Sequence, residues 1–198
     1  MDLTTAYQQA ALQAGKIVAG VSSDQLTLPT PCTEFDVHAL VNHMIGGLYM
    51  FDAAARAASI EMSALEHDFV ADGMTDSYNQ ASAQLHEALG AEGVIMGKWE
   101  MPFGTMPGMI AIGIGIIESV QHGWDLAKAT GQSAAFDNEL LEICMRTAKM
   151  MPVEQSRNPR VFGPEQPAPD GANLVNGAGL PASPFRTDSF KGVTEGKE

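Results

Sequence analysis

Between Val37 and Phe51 the chain reads VHALVNHMIGGLYMF, and the spacing of its apolar residues decides the fold. Val37, Leu40, Val41, Met44, Ile45, Leu48 and Phe51 recur at steps of three and four, which on an α-helix gathers them on one face, packed on a core. His38, Asn42, Tyr49, Asp52 and Arg56 form the wet side. The start signal is Thr33-x-x-Asp36, a variant of the capping box with aspartate where Glu or Gln is usual, after a loop carrying Pro29 and Pro31.

Working outward from this segment, residues 3–20 are rich in Ala, Gln and Leu and read as a first helix that Gly20 ends. A third helix is expected from Thr75, as N-cap, to Leu89, with Tyr78, Ala81, Leu85 and Leu89 on its buried stripe. Glycines and prolines between Gly90 and Gly108 surround the short apolar piece VIMGKWEM, which predicts a loop or a brief hairpin and no full sheet. The fourth helix is expected to begin near Thr105, with Pro107 in its first turn, and to stop at Gly131. A last helix starts at Asp137, where Phe136 and Leu141 are spaced as a hydrophobic staple, and runs to about Met151. From Pro152 to Glu198 proline and glycine recur with little periodicity, so this segment is expected to wrap the bundle as irregular chain or to stay partly disordered. The fold class is therefore all-α: a four-helix bundle with an extra C-terminal helix over residues 1–151, and an irregular tail over 152–198 belonging to the same domain.

Bulk properties narrow the function. A chain of 198 residues with 45% hydrophobic and 18% charged side chains fits one ordinary globular domain. A net charge of −13, from 24 acidic against 11 basic residues, repels nucleic-acid phosphates and anionic lipid alike. Cys32 and Cys144 belong to no CxxC pair, which argues against a zinc ribbon or a disulfide framework and suits a reducing compartment. No basic-then-apolar leader is visible, and the apolar run from Met106 to Ile117, broken by Pro107 and three glycines, is too short to span a bilayer. A cytoplasmic protein without a membrane partner is expected.

Chemistry concentrates at three positions. Glu118 and His122 are four apart, so on a helix they project about 40° from each other and can share one ion. The commoner explanation of Glu118, Gln121, His122, Asp125 and Lys128 is a solvated stripe. Against it, the stripe continues N-terminally as Ala111, Ile114 and Gly115, so the polar groups interrupt an apolar face, and buried charge needs a partner. His43, flanked by Leu40, Gly47 and Met50 away from the wet side, supplies a candidate, although by itself it reads as a satisfied core histidine. Two imidazoles and one carboxylate suit zinc first, then nickel, iron or manganese, and three protein ligands leave a coordination position open.

Other candidates are weaker. His38 points about 140° away from His43 on the same helix, and His67 and His86 have no partner spacing. Cys32 reads as a small packing residue and Cys144 as core. Gly113 and Gly115 weaken a helix interior by about 1 kcal/mol each, for which tight helix packing is the favoured explanation over a ligand's approach.

Two of these stretches, TPCTEFDVHALVNHMIGG at Thr30–Gly47 and ESVQHGWDLAKATG at Glu118–Gly131, resemble the DinB-like helical bundles and, more narrowly, the mycothiol-dependent maleylpyruvate isomerase N-terminal-domain group. The resemblance extends loosely over Leu3–Ala172, including Phe162 to Pro164, with HGWDLA its most specific part. It implies a divalent metal on His43, Glu118 and His122, and mycothiol as the thiol. Trp124 and Asp125 belong to the same motif and are assigned packing, capping, or acceptance of the N–H that a metal-bound imidazole turns away from its ion. Phe35 stands where tryptophan is frequent in the group, and the tail NLVNGAGLPASP lacks the leucine-rich and Gly-Arg ending. The isomerase carries a further C-terminal domain for which 198 residues leave no room, which counts against maleylpyruvate as substrate.

The leading expectation is thus a metal-dependent thiol transferase or isomerase acting on a small electrophile. A non-catalytic bundle that holds a metal or an apolar ligand, as a homodimer through exposed helix faces and with twelve methionines shaping an adaptable pocket, is the second reading. Metal-assisted hydrolysis is the third.

Overall fold

A computed structural model describes residues 1–32 and 35–150. Thr33, the tail from Pro152 and the Phe162–Pro164 stretch lie outside the described residues, and so does the domain division drawn at 151.

Helix α1 spans Leu3–Ala19 and starts at Asp2, whose carboxylate accepts from the Thr5 amide at 3.0 Å and the Thr5 hydroxyl at 2.7 Å. Such a cap contributes about 1 kcal/mol. Its buried face is mostly small: Ala6, Ala10, Ala11 and Ala14 allow neighbouring helices close to its backbone. Helix α2 covers Val37–Ala55, and all seven residues of its expected apolar face are buried. Its N-cap is Asp36 and not Thr33: Asp36 is extended and its carboxylate accepts from the Ala39 amide at 2.8 Å.

The wet side of α2 is drier than expected. The chain after it passes through the one-turn helix α3, Met62–Leu65, and folds back over α2. Asn42 accepts from the Val70 amide at 3.0 Å and donates to Asp68 at 3.1 Å, while Tyr49 stacks on Phe69 with ring centroids 5.4 Å apart. Helix α4, Met74–Leu89, begins one residue before Thr75; its N-cap is Gly73, whose φ of +105° is a left-handed conformation that glycine accepts without a Cβ clash. Tyr78, Ala81, Leu85 and Leu89 are buried as expected.

A brief hairpin follows. Strands β1, Lys98–Met101, and β2, Gly104–Pro107, pair antiparallel, with Trp99 opposite Met106. The fourth long helix, α5, Gly108–Thr130, therefore starts later than Thr105, because the ladder claims residues 104–107 and Pro107 becomes the N-cap. The Trp99 indole donates to the Val94 carbonyl at 2.9 Å, and a Cβ at Gly108 would sit 2.5 Å from that indole nitrogen, so the α5 start is wedged under the tryptophan. Gly131, with φ +71°, ends α5 in the usual left-handed way. Helix α6 spans Asn138–Met150.

Helices α1, α2, α4 and α5 form the bundle: α1 and α2 each pack against both α4 and α5, which puts α1 diagonally across from α2. The extra helix α6 lies outside, on α5. Among the described residues no helix is long and apolar enough to cross a membrane. The all-α bundle expected from the sequence is what the chain forms, and its α2–α5 seam carries the site.

Candidate metal centre

Helix α2 brings His43 to this seam, and α5 brings Glu118 and His122 from consecutive turns. The Glu118 Oε2 lies 2.9 Å from His122 Nε2 and 3.6 Å from His43 Nε2. The two imidazoles meet edge to face, centroids 4.9 Å apart at 87°. One ligand atom from each residue can be chosen so that all lie within 4.8 Å of one another, the one such group among the described residues. An ion with bonds of about 2.0–2.1 Å in a tetrahedral arrangement needs donor separations of roughly 3.3 Å. The 2.9 and 3.6 Å separations are within a few tenths of an ångström of that value, and the two imidazoles, whose ligand atoms lie within 4.8 Å, would close on a shared ion by side-chain rotation, so the donor types suit a single borderline divalent cation.

The solvated-stripe explanation of α5 does not hold. Gln121, His122 and Asp125 are buried and Glu118 is partly so, while Lys128 reaches solvent. Asp125, fully buried, accepts from the Gln121 side-chain amide at 3.2 Å and faces His122 Nδ1 at 3.6 Å with its other oxygen. That oxygen is the carboxylate atom nearest the side of His122 turned away from Glu118. Trp124, two residues beyond His122, projects about 200° further round the helix, and its ring lies under the Lys128 ammonium at 5.3 Å.

The local electrostatics follow from burial and pairing. Burial disfavours charge on His122, but the Glu118 carboxylate, and Asp125 behind it, outweigh this and raise its pKa to about 9. Burial likewise opposes the Glu118 charge, and the attraction of His122 overrides it, leaving Glu118 at about 2. His43 goes the other way: burial lowers its pKa, only partly opposed by Glu118. Without an ion the cluster thus carries one shared proton charge, on His122.

Beside the three residues is a cavity of about 20 Å³, room for roughly one water-sized group. Gly47 and Phe51 from α2, Tyr78 from α4, and Gly115 and Ser119 from α5 help line it. Phe35 lies over His43 at 5.0 Å with a 37° tilt. Sequence spacing reveals neither contact, since Tyr78 comes from another helix and reads as one more core residue of α4. The two α5 glycines also part ways. A Cβ at Gly113 would come 2.7 Å from Thr147 on α6, so tight packing explains it; at Gly115 it would meet Phe51 at 3.6 Å and Ile112 at 3.7 Å, ordinary contacts, and that glycine also borders the cavity.

The remaining candidates lie elsewhere. His38 is 3.1 Å from Asp68 and His67 is 2.6 Å from Asp72, both partly exposed. His86 belongs to no metal-like group among the described residues. Cys32 and Cys144 are buried, and burial raises the Cys144 thiol to about 12, as befits a core residue.

Comparison with known proteins gives consistent matches. Two uncharacterized proteins of Mycobacterium tuberculosis are each 34% identical over 170 residues, covering 85% of this chain and 90% of theirs. Among solved structures, the crystal structure of the mycothiol-dependent maleylpyruvate isomerase matches with a TM-score of 0.54 at 15% identity, over 74% of this chain and 68% of that one. A histidine-to-alanine mutant of that isomerase matches with a TM-score of 0.52 at the same identity. The family model of the mycothiol maleylpyruvate isomerase N-terminal domain spans residues 7–127 and so takes in His43, Glu118 and His122, and the chain belongs to that family.

Proposed function

We propose that His43, Glu118 and His122 hold one divalent ion, zinc before nickel, iron or manganese, and that the protein is a thiol-dependent transferase or isomerase acting on a small electrophile. The observation that carries this is the convergence of three ligating side chains from two helices beside a cavity with largely apolar walls. A bound divalent cation would supply the chemistry of holding a thiol as thiolate near neutral pH.

The chain's own residues do the rest. His122 has to give up its proton to serve as ligand, and Asp125 holds the Nδ1 side of the ring so that Nε2 faces Glu118. Phe35 packs on His43 and limits its rotation. Met44, Leu48 and Phe51 keep the cavity wall dry. Among the described residues no cysteine or lysine lines the cavity, and the Ser119 hydroxyl there donates to the Gly115 carbonyl at 3.0 Å. The nucleophile is therefore supplied by a co-reactant, which favours a thiol-dependent reaction. Membership of a family named for mycothiol chemistry makes mycothiol the thiol we propose, and the cytoplasm the compartment. The site takes all its residues from one chain, so a homodimer is not required for it. We also take the segment from Pro152 as part of this same domain.

The test is elemental analysis of the purified protein and of His122→Ala, followed by conjugation of a chromogenic electrophile with and without added thiol. Turnover that needs both metal and thiol supports the proposal. Product formed without thiol would establish hydrolysis instead, and tight ligand binding without turnover a non-catalytic role.

A further inference from the structure

We propose that the Tyr78 hydroxyl is the hydrogen-bond donor that positions a thiolate sulfur in the cavity beside His43, Glu118 and His122, and that Gly47 is kept without a side chain to admit it. This inference rests on the functional reading above and names how that site receives its thiol.

Tyr78 is 2% exposed, and among the described residues its hydroxyl makes no hydrogen bond of ordinary length, Ser119 being the polar side chain that acts on it from nearby. A buried phenolic hydroxyl without a well-formed hydrogen bond costs about 1–3 kcal/mol, so it gains from any acceptor that enters the cavity. Among the described residues, and apart from the three ligating ones, only Tyr78 and Ser119 bring polar side chains to the cavity wall. The Ser119 proton goes to the Gly115 carbonyl, which leaves the phenol as the donor there. Burial raises the Tyr78 pKa well above the ordinary tyrosine value, so the group remains a donor at any physiological pH.

The ring is held in place. A Cβ at Gly15 on α1 would lie 3.1 Å from Tyr78 Cε1 and 3.3 Å from Cδ1, so the phenol is flat against that helix. Gly47 is the complementary feature. It lies one turn after His43 on the cavity wall, and a Cβ there would meet nothing among the described residues within 4 Å. A Cβ at its neighbour Gly46 would come 3.0 Å from the Leu65 carbonyl oxygen, so that position has a packing reason to be glycine. Gly47 has none, although glycine weakens a helix interior by about 1 kcal/mol relative to alanine. Room for a ligand accounts for it. The cavity's size, about one water-sized group, fits a single sulfur and its first carbon at the mouth.

The experiment uses the full chain loaded with cobalt(II), titrated with 2-mercaptoethanol while the sulfur-to-cobalt absorption is followed, with acetate as an oxygen-donor control. Wild type, Tyr78→Phe, Gly47→Ala and Gly47→Leu are compared. Wild type, Tyr78→Phe and Gly47→Ala are expected to bind cobalt equally, since neither position supplies a ligand atom. Tyr78→Phe should weaken the thiol about tenfold, with no fall in the thermal midpoint of the thiol-free protein, because the substitution removes an unsatisfied hydroxyl. A fall in that midpoint together with unchanged thiol affinity would show a structural hydroxyl and overturn the proposal. Gly47→Leu, whose side chain leans back toward His43, should abolish thiol binding, and Gly47→Ala should weaken it less while raising the midpoint. Unchanged thiol affinity in Tyr78→Phe and in both Gly47 variants overturns the assignment alone, as does a loss confined to acetate. A wild-type chain that takes up no cobalt overturns the functional reading, and this inference with it.

Discussion

Helix α5 has two long sides made from similar residues and put to opposite uses. Toward α6 and α1 it carries Gly113 and Gly123; a Cβ at either would come 2.7 Å from Thr147 or from Phe136, and at Gly123 also 3.3 Å from Ala14. That side is closed by contact. Toward α2 it carries Gly115, Glu118, Ser119 and His122, and there the glycines at 115 and 47 line the cavity, a Cβ meeting only ordinary contacts at 115 and nothing described within 4 Å at 47. Glycine in a helix thus marks closeness on one side and vacancy on the other, and only the neighbours say which.

The sharpest way to break this contrast is to remove a ligand from the open side. His122→Ala should lower metal affinity on the order of a thousandfold while the bundle stays folded, measured by isothermal titration with zinc and by circular dichroism. Equal affinity would mean that the open side is not a metal centre. On the closed side, Gly113→Leu should cost about 3 kcal/mol of stability, since overpacking has nowhere to go, with a matching drop in denaturant midpoint. A neutral result would erase the difference between the two sides. Asp125→Asn keeps the shape but removes the charge behind His122, and should weaken zinc about ten- to a hundredfold without unfolding the protein.

Proton competition refines the open side further. His122 has its folded pKa raised to about 9, so below that pH a proton occupies the position the ion needs. Zinc affinity should therefore rise about tenfold per pH unit up to about 9 and then level, one proton being released per ion bound, as read by titration in buffers of different ionisation enthalpy. In the chelated chain the same raised pKa stabilises the fold fully below about 6.5, the unfolded value, and this contribution is lost as pH rises through about 9. The smallest effect belongs to Gly47→Ala, which should stabilise the metal-free protein by about 0.5–1 kcal/mol in a thermal melt, because helix propensity improves and nothing is displaced.

The bundle was legible because its long helices announce themselves through local rules: the three- and four-residue steps from Val37 to Phe51, and Gly131 at a position only a left-handed residue fills comfortably. The burial of His122 and Asp125 was legible too, from the apolar continuation of their stripe through Ala111 and Ile114. Features decided by distant partners were not. Helix α3 is a single turn with no period to detect, and the chain around it covers Asn42 and Tyr49 by contacts that span some 20 to 30 residues. Pairing of residues 98–101 with 104–107 overrode the helix-start preference of Pro107. Tyr78 shares its cavity with residues of two other helices, and no spacing within α4 could distinguish it from Leu85.

His43 and Glu118 are separated in the chain by more than 70 residues, which include α3, α4 and the hairpin. An ion gripping both would be a tie-bar across that whole excursion, so the lifetime of the fold would track how much free metal surrounds it. At a free concentration one hundred times the dissociation constant the gain is about 2.7 kcal/mol. A chain starved of its cation would thus be the first to open along the α2–α5 seam and the first to be cleared.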